Sequence, residues 1–296
     1  MTDISQTPAL APGGGRTMER VRLLLRSRSG LTGLIIVALL AVLSLVSAFG
    51  LLPFDPLAQD PPSRLQPPSA VHWFGTDQFG RDVFSRVAAG VANSALISVV
   101  AVAFATVVGT VCGLIAGFYR GFSDGAITAV TNVLFAFPPL LLALSLASVF
   151  ERNWFTIAVA IAIVYVPIFI RVTRGPVLSL REVEYVKAAK STGQSRMATM
   201  FRHVLPNITS IIIVQVTLSL SWAVLTEASL SFLGLGTPPP APSLGSMIFE
   251  ARTLVTIAPW TMIAPGVIVV LLVVGLNLLG DGLRDSLDPH MRTRKP

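Results

Sequence analysis

The sequence predicts an all-α polytopic membrane protein with six transmembrane helices. Three observations carry that prediction. Hydrophobic residues make up 53% of the 296, charged residues only 12%, and the mean hydropathy is +0.73; soluble domains carry about 25% charged residues. Six apolar stretches approach the ~20 residues with which a helix crosses a hydrocarbon core. None shows the period-two alternation of a membrane β-barrel strand.

Residues 1–30 read as a cytoplasmic tail, with Gly13-Gly14-Gly15 in a disordered opening. The basic run Arg16–Arg28 and the triplet Val46-Ser47-Ala48 also suit a signal peptide. The apolar run is longer than the roughly 7–15 residues of a signal core, so residues 31–52 are expected as a retained first span. Residues 53–92 form an extracytoplasmic segment that opens with six prolines between Pro53 and Pro68, favouring a polyproline-like course. Its second part, "HWFGTDQFGRDVFSR", alternates aromatic residues with Asp and Arg. This stretch reads as an interfacial helix dipping Trp73 into the bilayer, and also as a docking surface for an external partner. The two readings are compatible.

Residues 93–280 hold a five-helix core, with spans at Asn93–Phe118, Ala126–Phe150, Trp154–Ile170, Ile208–Phe232 and Ile257–Gly280. In the second span Ala101, Ala105, Gly109, Gly113 and Gly117 recur every four residues. They form a ribbon of small side chains that lets a neighbouring backbone approach closely, here a helix of the same chain. Pro138-Pro139, Pro167 and Pro265 interrupt other spans. Helices bent around a translocation path and bent scaffold helices both fit those breaks. Residues 281–296 form a second tail.

Lys and Arg set the orientation. Seventeen of the 22 lie in the N-terminal tail, near Arg120, between Arg171 and Arg202, or after Gly280; five lie in the alternate segments. Both termini are therefore expected in the cytoplasm. The formal net charge of +7 does not imply nucleic acid, because the charges sit in short loops between spans. Cys112 is mid-span and alone, which excludes a disulfide framework.

Several chemistries are missing. The three lysines follow Val, Ala and Arg, so none can be the lysine of a phosphate-binding loop, which follows a glycine. "GFSDG" at 121–125 matches a hydrolase pattern, but that pattern works only on a strand–turn–helix elbow. Between two spans, Ser123 or Asp124 more naturally caps the next helix. His72, His203 and His290 lie in different loops without metal-ligand spacing. Glu227 is the only acid well inside a span. Intramembrane acids suggest a pathway contact or proton relay, but near a helix end snorkelling or a structural hydrogen bond is favoured.

The stretch "EYVKAAKSTGQSRMATMFRHVLPN", 184–207, is unlike its apolar neighbours. Burying the seven basic residues between Arg171 and Arg202 would cost about 2.5 kcal/mol each even on a gentle scale, so the elbow lies in the cytoplasm. As a helix it places Tyr185, Ala188, Ala189 and Thr192 on one small face, with Glu184, Lys187 and Ser191 on a charged one. Gly193 can adopt the left-handed conformation that ends a helix, and Pro206 resets the chain into the fifth span.

That stretch resembles the EAA loop of ABC-transporter permeases, with Ala188, Ala189, Gly193, Leu205 and Pro206 in register. Lys187 stands where the family has Glu, and His203 where Ile is usual; Glu184 in "EYVKAA" is similar to the peptide-permease version. "FGTDQFGRDVFSR", "EASLSFLGLGTPPPAPSLGSMI" and "GDGLRDSLDP" are similar, in order, to segments of the dipeptide/oligopeptide/nickel permeases of the DppC/OppC type. The resemblance implies a type I ABC-importer permease fold, no cofactor in this chain, and a site in the cytoplasmic membrane of a bacterium. It implies a second homologous permease, and one or two ABC ATPase subunits that bind ATP and Mg and seat the elbow (171–207). It also implies an extracytoplasmic solute-binding protein. Short peptides are the expected substrate, while nickel complexes, glutathione and haem are handled by related systems. The rival classes are an ion-coupled secondary transporter centred on Glu227 and a membrane scaffold without transport.

Overall fold

A computed structural model describes residues 22–25 and 27–287; the expected disordered tail opening and the last residues of the second tail lie outside them. Helix α1 (Arg28–Ala48) is capped by Ser27, whose side chain accepts the Gly30 N–H at 2.9 Å. Helix α2 (Val83–Tyr119) begins where the Asp82 carboxylate accepts the Ser85 N–H at 2.8 Å. Its 37 residues rise about 55 Å, far more than a hydrocarbon core of ~30 Å. The first turns of α2 therefore stand outside the bilayer, which explains why apolarity placed the span start at Asn93.

The aromatic stretch before α2 is not an interfacial helix. Residues 72–82 fold into turns closed by an isolated Thr76–Asp82 bridge, with the Gly75 φ at +72° and the Gly80 φ at +76°. Two positive-φ glycines a few residues apart break a helical register that spacing alone suggested.

Helices α3 (Gly121–Phe135) and α4 (Pro139–Val149) meet at 93° across Pro138, and together they are long and apolar enough for one broken span. A run of apolar residues shows no such bend, since hydropathy carries no backbone direction. Ser123 and Asp124 are not caps: α3 starts at Gly121, and Asp124 in its first turn accepts two hydrogen bonds from Arg174 at 2.6 and 2.8 Å. Helix α5 (Trp154–Leu180) runs through Pro167 and Pro176 without interruption and extends beyond the expected Ile170. Pro265 likewise sits inside the continuous last helix. Packed neighbours and retained helical φ make these prolines tolerable.

The elbow contains α6 (Glu184–Ser191) and α7 (Arg196–Thr199), which continues through a π turn at Met200–Val204 into α8 (Leu205–Phe232). Pro206 thus does not reset the chain. The helix passes through it, and the π turn just before it absorbs the missing N–H. Past α8 comes α9 (Leu244–Ala251), where Ser243 and Ser246 form a reciprocal capping box; α10 (Trp260–Leu287) closes the fold. Among the described residues, counting the broken pair once gives six candidate spans.

The core is built around α2 and α5. A Cβ placed on Gly113 would fall 2.6 Å from the Thr173 Cβ, and one on Gly117 would fall 2.8 Å from the Val177 Cβ. Gly109 faces Phe169 in the same way. Ala101 and Ala105 continue the seam, fully buried. Four-residue steps on both helices keep the two backbones in contact along its length. Exposed Leu39, Val42, Val107, Val130 and Ile263 would be costly in water; in a bilayer they face lipid.

Candidate functional site

Two features can carry function: the elbow at one end, and a groove that runs along α8. In the elbow, Val186 is fully buried in a cluster with Leu114, Phe118, Val177, Met200 and Val204. This side chain pegs α6 to the bundle, and sequence reasoning missed it. The signal was a single apolar residue enclosed by Tyr185 and Lys187.

The peg fixes which face remains open. Glu184, Tyr185, Lys187 and Ala188 are exposed, whereas Ala189 is half-buried beside Val186. The expected small face is thus rotated: Ala188 points outward, and Ala189 lies partly against the protein itself. Gly193 has φ +83°, and a Cβ built there would meet nothing within 4 Å, so its left-handed turn, not packing, requires glycine. Leu205 is half-buried and Pro206 exposed. Lys187 pairs with Glu182 at 3.3 Å. Hydrogen bonds from Arg181 first, then Lys187, hold the Glu182 carboxyl below the usual range. The Lys190 Nζ lies 4.4 Å from the Phe118 ring centre; burial there pushes its ammonium below its ordinary value.

The groove opens beside the break in the third span. It is a concavity of about 580 Å³ lined by Phe135, Tyr165, Gln215, Ser219, Trp222 and Thr226, among others. The Tyr165 and Thr226 hydroxyls are 3.2 Å apart and bridge α5 to α8. Arg171 stacks over Phe135 at 4.1 Å, so a cation lies just behind the broken span. A mostly apolar wall with a few hydroxyls and one amide is the kind of lining found in small-molecule sites.

Glu227 does not line this groove. It is fully buried, so it does not snorkel, and its Oε1 accepts the Ser231 hydroxyl at 2.7 Å. Its Oε2 has no hydrogen-bond partner among the described residues. That geometry suits a structural role at the α8–α9 junction. At the end opposite the elbow, Asp77, Arg81, Arg86 and the half-buried Glu250 form an ionic cluster that ties the segment before α2, and the first turn of α2, to α9. No group of His, Cys, Asp or Glu suited to a metal occurs among the described residues.

A helical bundle with a broken span, a protruding basic elbow and a solute-sized groove defines a multi-pass transport permease. Residues 109–293 match the family described as binding-protein-dependent transport system inner membrane component, and the chain belongs to that family as an ABC permease of the dipeptide/oligopeptide type. It is 42% identical over 93% of its length to the dipeptide transport system permease protein DppC of Alkalihalophilus pseudofirmus, covering 90% of that protein. It is 39% identical to the probable D,D-dipeptide transport system permease protein DdpC of Escherichia coli, over 87% of this chain and 86% of that one. The glutathione transport system permease protein GsiD of Pectobacterium atrosepticum is 38% identical, over 76% of this chain and 75% of that one. Among solved structures, an inward-facing MetNI methionine ABC transporter matches with a TM-score of 0.57 at 18% identity, over 69% of this chain and 97% of that chain. That likeness shows a shared type I importer permease fold.

Proposed function

We propose that this chain is one of two homologous permeases in an ATP-driven importer that takes short peptides into a bacterial cell. The second permease would complete the groove along α8. One or two ABC ATPase subunits, binding ATP and Mg, would seat α6, and an extracytoplasmic solute-binding protein would deliver substrate at the opposite end. In this reading both termini and the elbow are cytoplasmic. ATP binding draws the ATPases together, and because α7 and α8 form one helix with a π turn, movement of the elbow reaches the groove wall directly. The ATPases drive this only through different affinities for the two permease arrangements.

The carrying observation is the pegged elbow. Val186 holds α6 against the bundle while Glu184, Tyr185, Lys187 and Ala188 stay open to a partner. Peptide as the solute is supported by the dipeptide permeases that the chain resembles over most of its length. Glutathione is the second reading, supported by the glutathione permeases that resemble 76% of the chain. The test is to purify the chain from its own cell, identify what accompanies it, and reconstitute the assembly in liposomes. Copurification of a second permease and an ATPase, with ATP-dependent uptake of labelled dipeptide, is expected. Uptake driven by an ion gradient without an ATPase would refute the proposal. Uptake of glutathione with no dipeptide uptake would select the second reading.

A further inference from the structure

A second concavity of about 440 Å³ lies at the elbow end between α5, α8 and α10, where Val172, Ser210 and Arg284 form part of its wall. Gln215 and Leu218 line both this concavity and the one beside the broken span. The two therefore adjoin along one face of α8, which runs from Ser229 to Ser210, about 30 Å at the helical rise. Each half lies within the ~300–1,000 Å³ typical of small-molecule sites.

The polar lining is neutral except at one place. Tyr165, Ser219, Thr226 and Ser229 serve the far half and Gln215 the middle. Arg284, in the last turn of α10, is the one charged side chain among the described residues that line either half. A last-turn arginine has a plain role in offsetting the helix carbonyls, but that role does not require it to face a groove. No carboxylate among the described residues pairs with it, although Asp281 and Asp285 are its neighbours in sequence. Arg284 is exposed, and a guanidinium at the open mouth of a largely apolar groove presents forked donors that match a carboxylate.

We propose that Arg284, with Gln215 behind it, receives the free α-carboxylate of a peptide leaving the groove on the elbow side. This rests on the peptide-importer reading. A phospholipid headgroup offers similar anionic chemistry; the Gln215 Nε2 already donates to the Ser219 hydroxyl at 3.1 Å, but acyl chains over this pair would leave the Gln215 carbonyl oxygen without a donor. A peptide backbone N–H supplies that oxygen with a donor.

The whole transporter, without binding protein, would be placed in nanodiscs of phosphatidylcholine. It would be offered alanyl-benzoylphenylalanine as the free acid or the C-terminal amide, then irradiated, and the labelled segments mapped by mass spectrometry. The wild type should label 210–218 or 283–287 about tenfold more with the acid than with the amide, as expected for one lost charge-assisted contact. Arg284→Gln should abolish that preference, and Arg284→Lys should retain part of it. If Arg284→Gln fails to assemble, the Arg284→Lys and Gln215→Ala transporters carry the comparison. Equal labelling by acid and amide in the wild type overturns the assignment, as does an unchanged preference in the variants. Phosphatidylglycerol that blocks labelling and copurifies only when Arg284 is present would show a lipid site and overturn it too. Failure of the peptide-importer reading would show separately, as absent ATP-driven dipeptide uptake by the wild type.

Discussion

The Arg86 guanidinium, only 1% exposed, places its Nη2 3.3 Å from the Oε2 of Glu250 on α9. The same oxygen accepts from Arg81 at 2.9 Å, and Asp77 bridges both arginines from the other side. One carboxylate on a short helix thus sits between two buried cations, Arg81 before α2 and Arg86 in its first turn. Glu250→Ala should leave both arginines to share Asp77 alone and destabilise the assembled permease by about 2–4 kcal/mol, less than the full cost of breaking a buried pair because Asp77 remains and Glu250 is partly exposed. Thermal unfolding of the purified complex measures this. A change under about 0.5 kcal/mol, the size of a surface substitution, would mean that α9 is held by other contacts.

Gly113 and Gly125 provide a paired test of the seam. At Gly113 an added methyl meets the Thr173 Cβ at 2.6 Å and the Ile170 carbonyl at 2.8 Å; at Gly125 it meets nothing within 4 Å. Gly113→Ala should push α2 off α5 and cost about 1–3 kcal/mol by overpacking. Gly125→Ala should be neutral or stabilising by a few tenths of a kcal/mol, from helix propensity alone. Equal loss in both variants would remove the seam as the reason for glycine.

The rotated elbow changes which alanine reports on coupling. Ala188→Glu puts a carboxylate on the open face without touching Val186, so the bundle should fold and pair normally. Against a groove that excludes water, an unpaired charge costs several kcal/mol, and about 1.4 kcal/mol is tenfold in binding. ATPase copurification should therefore fall at least about tenfold, or persist with substrate no longer stimulating ATP turnover. Lys187→Ala removes only an exposed pair with Glu182 and should do little. Normal transport by Ala188→Glu would exclude α6 as the ATPase contact.

The basic-residue asymmetry is tested by cysteine accessibility in a Cys112→Ala background. Lys187 and Gln66 are both exposed, at opposite ends of the bundle. Lys187→Cys should react with an impermeant maleimide only from the cytoplasmic side, and Gln66→Cys only from outside. Reaction of both from one side of intact cells is incompatible with six spans.

How much of this was legible in the chain follows from the range of the forces involved. Transfer into a bilayer is nearly additive along contiguous residues, so 53% hydrophobic composition and its segmentation already determined a six-span helical membrane protein. Conformational preferences are also local, so a helix end at Gly193 and a small-residue face from Ala101 to Gly117 could be read directly. The segments "EYVKAA" and "GDGLRDSLDP" carried the family. What the chain did not reveal depends on partners far away in sequence. Whether Ala188 or Ala189 faces outward depends on Val186 finding Leu114 and Met200. Whether Pro138 or Pro167 breaks a span depends on the packing around each, since a proline inside a tightly packed helix loses one hydrogen bond without bending it far. The ion pairs of Glu250 and the place of Arg284 in the groove wall arise where α9 and α10 fold back onto α2 and α8. A side chain's one-dimensional neighbours set its conformation and its solvent, but only the folded bundle sets which charge meets which.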